Sequence, residues 1–247
     1  GLIAILSAFP AQPKTSIVRD FGKFEKLNSI LSILDSAGYT SAAYYGANLN
    51  FANTGSYLRA KGFKKVLGED DIPYTERTLW GIYDEQVLQY QAKDLKNIKQ
   101  PFFALTLTIS SHEPFDAPGP VVFKGSDLSQ KYRNAVHYTD KCLGDYFEKV
   151  KAEPWFNNTL FILVADHSHF YPLGRADNSP ERHKIPFLFY GNVIKPEYRG
   201  KVNTKFGSQT DIAATLLSQL SLPSKAFHWS KDLLNPSAPS FAFYSYD

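Results

Sequence analysis

Short apolar runs alternate with amphipathic stretches along this chain, and that alternation constrains the fold more than any other feature. Runs rich in β-branched and aromatic residues, each followed by a stretch of helical period, are the mark of βαβ units and a parallel sheet. Residues 27–34 together with Ala37 have helical spacing, and Gly38 stands where a helix C-terminus favours glycine. Residues 40–46 read as a strand ending at a loop, 51–60 as a short helix closed by Gly62, and 64–67 as a short strand. A polar-faced helix is expected over 84–98, a buried strand over 101–109, and the longest helix over 128–151, with Ala135, Cys142, Tyr146 and Val150 on its apolar stripe. Residues 159–165 form another buried strand. Residues 185–190 resume one, where Pro186 confines it to a strand start or an edge. The last helix spans 210–220, with Ser208 as its N-cap. The expected architecture is α/β: a mainly parallel central sheet with helices on both faces, in one domain over 1–247.

Composition narrows the class of partner. The 27 basic and 24 acidic residues nearly balance and are evenly spread, which argues against nucleic acid. Cys142 is the single cysteine, so no intrachain disulfide is possible. No apolar run reaches the roughly 18 residues of a membrane-spanning helix, and no signal peptide is visible. The chain has no Met, and residues 1–6 look like the interior of an element, so we expect a piece of a longer protein, truncated at its N-terminus.

The chemistry concentrates at Asp166-His167-Ser168-His169, directly after the apolar run 159–165. A carboxylate and two imidazoles there stand where an interior strand surfaces, and ligands of open α/β sheets bind at that edge. Oxygen and neutral imidazole together suit zinc, manganese or another borderline cation. The plainer reading of Asp166 is a turn residue capping a backbone N–H; so apolar a run before it favours metal ligation by Asp166 and His167. His112 follows the strand over 101–109, and in a parallel sheet it shares an edge with His167. His183 would reach that edge by a returning loop, and Arg182 beside it could pair with an anionic substrate. His137, mid-helix, and His228, near the C-terminus, read as structural or solvated. Among Tyr44, Tyr45, Phe51 and Tyr57, core packing is the expected role for most. No Walker A loop, G-x-G-x-x-G or G-x-S-x-G occurs.

Several stretches, in order, resemble the sulfatase-like branch of the alkaline phosphatase superfamily, and most nearly its lipoteichoic acid synthase (phosphoglycerol transferase) group. They are Gly1-Leu2-Ile3-Ala4-Ile5-Leu6-Ser7 through Pro13-Lys14-Thr15-Ser16-Ile17, then Tyr44-Tyr45-Gly46 with Asn50-Phe51-Ala52-Asn53. Trp80-Gly81-Ile82-Tyr83-Asp84-Glu85 and Ser110-Ser111-His112-Glu113-Pro114-Phe115 follow, then Val136-His137-Tyr138-Thr139-Asp140. The series closes with the strand into Asp166-His167 and with His183-Lys184-Ile185-Pro186.

The resemblance implies one divalent metal, manganese first and magnesium or zinc next, held partly by Asp166 and His167. It implies a substrate-contacting histidine at His112 and a covalent ester on a threonine. That ester passes to an acceptor hydroxyl in transferases and to water in sulfatases and phosphodiesterases. The nucleophile and a glutamate ligand lie upstream of the segment matching Gly1, so Thr15 and Ser16 are not candidates and the piece alone should be inactive. Where the group carries a substrate-contacting histidine, tryptophan and arginine, this chain has Tyr45, Ala52 and Thr54. The implied substrate is a lipid- or glycan-linked phosphate or sulfate ester. The implied location is the outer side of a cell membrane, reached through N-terminal helices absent from this chain. A non-catalytic glycan- or lipid-binding module with the same fold is the alternative from another class.

Overall fold

The computed structural model describes residues 1–245. Its sheet is built on strand β1 (Thr40–Tyr45), flanked by β2 (Lys65–Leu67) and β3 (Phe102–Leu107), both parallel to it, in the order β2-β1-β3. The β1–β3 register runs from Thr40 opposite Phe102 to Tyr45 opposite Leu107, so both strands end at the same level. The run before Asp166 is strand β4 (Phe161–Val164), and it does not extend this ladder in parallel as expected. It pairs antiparallel with β5 (Phe187–Tyr190), with Phe161 opposite Tyr190 and Val164 opposite Phe187. The chain between β4 and β5 holds no α-helix, only the turn Pro180–His183, so it carries no crossover of the βαβ kind and β5 returns antiparallel.

Helices cover both faces. Helices α1 (Leu2–Ser7), α2 (Phe21–Phe24), α3 (Ile30–Ser36) and α4 (Thr54–Lys61) lie on one side. Helices α5 (Asp84–Asp94) and α6 (Leu128–Val150) lie on the other, and α7 (Asp211–Gln219) joins the first group. Two core clusters record this division. Leu6, Leu31, Leu58 and Leu217 pack with Ala43, Phe103, Leu105 and Ile162, whereas Val87, Leu88, Cys142 and Val150 pack with Ala42, Tyr44, Ala104 and Phe161. Alternate residues of each strand thus feed opposite cores, as the period of two requires. β4 contributes to both clusters, so it lies in the same layer as β1 and β3.

Local chemistry sets the element ends. Ser29 accepts from Leu31 N before α3, Asp127 accepts from Ser129 N and Gln130 N before α6, and Gly62 ends α4 at φ 106°. The stripe buried on α6 is Ala135, Cys142, Tyr146 and Val150, as its spacing predicts. At α7 the expected Ser208 cap is reversed. Asp211, in the first turn, accepts from Ser208 N at 2.8 Å and pairs with Lys231 Nζ at 2.6 Å, because a carboxylate there meets both an N–H and a cation.

Candidate active site

Asp166 and His167 leave the end of β4 with side chains about two-thirds exposed, 67% and 69%. Asp166 Oδ1 accepts from His167 N at 2.9 Å, so the plain capping reading is also realised. The imidazole adds something a cap does not need. His167 Nδ1 donates to Ser168 O at 2.8 Å, which leaves Nε2 as the bare nitrogen of the neutral ring. That nitrogen stands 3.5 Å from Asp166 Oδ2. Two Lewis-basic atoms so close call for a proton or a cation between them, and the carbonyl bond on the far nitrogen is the usual orienting partner of a metal-bound histidine. The donor set therefore fits a divalent metal as half a site. Among the described residues no group of three or more His, Cys, Asp or Glu side chains is placed to complete it.

The loop after β3 meets this element. His112 is exposed, and its Nδ1 donates to Glu113 O at 3.0 Å. Its ring lies against Trp80, with centroids 4.5 Å apart. Glu113 Oε1 is 3.4 Å from Nε2 of His169, whose Nδ1 accepts from Tyr171 N. His169 stacks on Tyr132 at 5.0 Å and on Tyr171 at 5.4 Å, with Phe115 edge-on. Burial holds its pKa below the ordinary histidine value, against the pull of Glu113. His169 thus fastens the loop of His112 to the loop of Asp166, and its own lone pair is occupied by the backbone.

Arg182 reaches the same place. Its Nη1 donates to Ser168 Oγ at 2.6 Å, Ser168 Oγ donates back to Arg182 O, and Nε lies 3.4 Å from Asp177. His183 turns aside: its Nε2 donates to Asp177 O at 2.6 Å and its ring stacks on Tyr244 at 4.0 Å. Tyr45 ends β1 half-buried. Burial, followed by the negative charges of Asp166 and Glu69, raises its phenol above the ordinary value, which keeps it protonated beside Asp166. Gly1, ahead of α1, also lies here: a Cβ on it would fall 2.5 Å from Asp166 Cβ.

Other candidates separate from the site. His137 and His228 are exposed, Thr15 and Ser16 sit on an exposed turn after α1, and Tyr44 and Tyr57 are core residues at 0% exposure. Ala52 and Thr54 belong to the turn at Phe51–Asn53 and the start of α4, where Thr54 Oγ1 donates to Phe51 O. Tyr132, Tyr171 and Gln209 escape the sequence reading, and Trp80 and Glu113 stand in the matching stretches without a role of their own. Gln209 donates to Ala165 O at 2.7 Å and to Asp166 O at 2.8 Å, fixing the exit of β4. Tyr132 and Gln209 carry no motif, because each acts through a contact distant in sequence.

The family model "Sulfatase" matches residues 1–222. The chain is 25% identical over 238 residues to the lipoteichoic acid synthase-like protein YvgJ of Bacillus subtilis, covering 88% of this chain and 38% of that protein. It is 31% identical over 178 residues to phosphoglycerol transferase I of Escherichia fergusonii, covering 67% of this chain and 23% of that one. A solved structure of an alkaline phosphatase superfamily protein from Vibrio parahaemolyticus superimposes with a TM-score of 0.82 at 26% identity, over 96% of this chain and 58% of that one. The chain spans well under half the length of these two curated relatives. The family match extends over nearly the whole chain, and the chain belongs to the Sulfatase family.

Proposed function

We propose that this chain is part of the extracytoplasmic catalytic domain of a metal-dependent phospho-ester transferase. It moves a phosphoglycerol or related head group from a lipid- or glycan-linked donor through a covalent threonine intermediate. The observation that carries the reading is the convergence of two strand-end loops, His112 after β3 and Asp166-His167 after β4, joined by the 3.4 Å contact of Glu113 with His169. The names of the relatives, lipoteichoic acid synthase-like and phosphoglycerol transferase, supply the reaction class.

Asp166 and His167 are the residues that would hold the cation, manganese first, magnesium or zinc next. A divalent ion so bound neutralises charge on the non-bridging oxygens of the ester and lowers the pKa of an attacking hydroxyl. The chain's own groups do the rest. His112, with Nδ1 turned to Glu113 O, presents Nε2 to the leaving oxygen and in its protonated form donates a proton there. Tyr45 keeps its proton and offers a hydrogen bond to an ester oxygen. Arg182 adds positive charge beside Ser168 and, held by its Nη1 bond to Ser168 Oγ, needs little reordering to meet an anion.

Calorimetric titration of the full-length protein with Mn2+ tests the reading, together with release of glycerol phosphate from labelled phosphatidylglycerol. Asp166→Ala and His167→Ala are expected to abolish turnover and weaken manganese binding by about 10-fold or more. Unchanged affinity in both variants removes the metal assignment. Release of inorganic sulfate from an aryl sulfate, with no glycerol phosphate formed, would favour the hydrolase.

A further inference from the structure

The segment 80–84 has no part in the chemistry above, yet it binds the loop that carries His112 at several points. Asp84 Oδ1 accepts from Ile109 N at 2.7 Å and from Ser110 N at 3.2 Å. Asp84 N donates to Ser110 Oγ at 2.9 Å, so residue and loop bond each other in both directions. Trp80 Nε1 donates to Glu113 O at 2.6 Å, and Tyr83 OH donates to Asp116 O at 3.0 Å. His112 therefore lies between an anchor on its N-terminal side at 109–110 and two on its C-terminal side at 113 and 116.

The anchors are themselves fixed. Gly81, at φ 153°, packs so closely on the end of β1 that a Cβ would fall 2.1 Å from Gly46 O, and Ile82 N donates to that same oxygen at 2.6 Å. Asp84 opens α5, and its Oδ2 accepts from Thr139 Oγ1 of α6 at 2.8 Å. The clamp is thus referenced to β1, α5 and α6, whereas the loop it holds runs from 108 to 127 without regular structure. A loop of that length does not hold one residue in register unaided.

A plain first-turn carboxylate does not explain Asp84. Exposed aspartates favour helix N-termini, but Asp84 is 1% exposed, and the partners just named are neutral N–H and O–H groups. Burying a carboxylate on neutral donors is costly, and a neutral residue would start the helix at lower cost. We propose that Asp84 is a positioning residue, whose carboxylate, with Trp80 and Tyr83, holds His112 in place on the loop that Glu113 and His169 join to Asp166 and His167. The inference rests on the reading of His112 as the substrate-contacting histidine.

The test is a kinetic cycle on the full-length protein with Mn2+, reading release of glycerol phosphate from labelled phosphatidylglycerol, whose alkoxide leaving group needs a proton. Asp84→Ala is expected to lower kcat about 10- to 100-fold, the scale on which small misplacements act, with KM changed far less. Asp84→Asn keeps a carbonyl for Ile109 and Ser110 and an N–H for Thr139, and is expected to recover most of that loss. In a His112→Ala background, adding Asp84→Ala is expected to cost less than about twofold more, because two residues acting as a unit are not additive. The drop in thermal midpoint caused by Asp84→Ala, by contrast, persists in both backgrounds.

Equal kinetic losses in the two backgrounds would overturn the inference and leave Asp84 a general support of the fold. So would an Asp84→Ala enzyme with wild-type kcat while His112→Ala is impaired. A His112→Ala enzyme with wild-type kcat removes the reading of His112 and the inference with it. If Asp84→Ala does not fold, Trp80→Phe deletes the indole N–H while keeping a ring, and runs the same cycle with an expected loss of about three- to tenfold.

Discussion

His167 depends on a bond made by its other nitrogen. With Nδ1 given to Ser168 O, Nε2 stands 3.5 Å from Asp166 Oδ2. His112 makes the contrasting case, since its ring leans on Trp80. His112→Ala is expected to lower turnover by about 100-fold or more while leaving manganese affinity intact, as loss of a general acid does; loss of both in parallel would make it structural. Asp84 yields a prediction in pH. Burial raises its carboxyl above the ordinary range against the pull of Ile109, Thr139 and Ser110. The native state then holds this proton more tightly than the unfolded chain, whose aspartates titrate near about 3.9. Between those two values the native state binds more protons, so stability falls as pH rises. Asp84→Asn removes that slope. Urea midpoints of wild type and variant should therefore shift in favour of the variant on going from about pH 4 to 7. A shift the other way would mean that the three donors outweigh burial.

At the scale of elements, what is legible is what repeats locally. The stripe on α6 follows from positions three, four and seven apart, and Gly62 marks the end of α4 because no other residue sits so readily at positive φ. Asp166 and His167 stand out because polar residues directly follow an apolar strand. The partner of β4 was not legible. Alternation says that a strand is buried, not which neighbour it takes, and β4 pairs antiparallel with β5. Asp84 escapes for a related reason: acidic residues open helices everywhere, and nothing local separates a buried one. Lys61 is a third such residue. It closes α4 at 2% exposure, where lysine is seldom found, and its Nζ donates to Phe24 O at 2.7 Å, Leu27 O at 2.6 Å and Glu25 O at 3.4 Å. It thereby ties the chain between α2 and α3 to α4. Lys61→Met fills the same space without a donor and is expected to cost about 3 kcal/mol, the scale of leaving charge-assisted partners unpaired. Thermal unfolding measures it, and a loss under about 1 kcal/mol would show that water replaces the ammonium.

At the scale of the molecule the layer between the two helical faces is uneven. β1 buries Ser41 to Tyr44 completely, but every residue of β3 and of β4 is only half-buried. Exposure of one face would strike alternate residues, and here Phe102 and Phe103 face opposite cores yet share the same condition. The opening is therefore along the strand edges. β3 is paired with β1 on one side, and β4 with β5 on one side, and among the described residues neither has a strand on the other. An open edge in the middle of a layer leaves alternate N–H groups without a ladder partner. Hydrogen exchange on the 247-residue chain should accordingly be slow throughout β1. On β3 it should alternate, slow at amides directed to β1 and fast at those directed away, with the same alternation on β4 relative to β5. Uniform protection along β3 would mean that the edge is closed in solution by further chain or by a second copy. Comparing the pattern at two protein concentrations separates those cases, because only closure by a second copy strengthens with concentration.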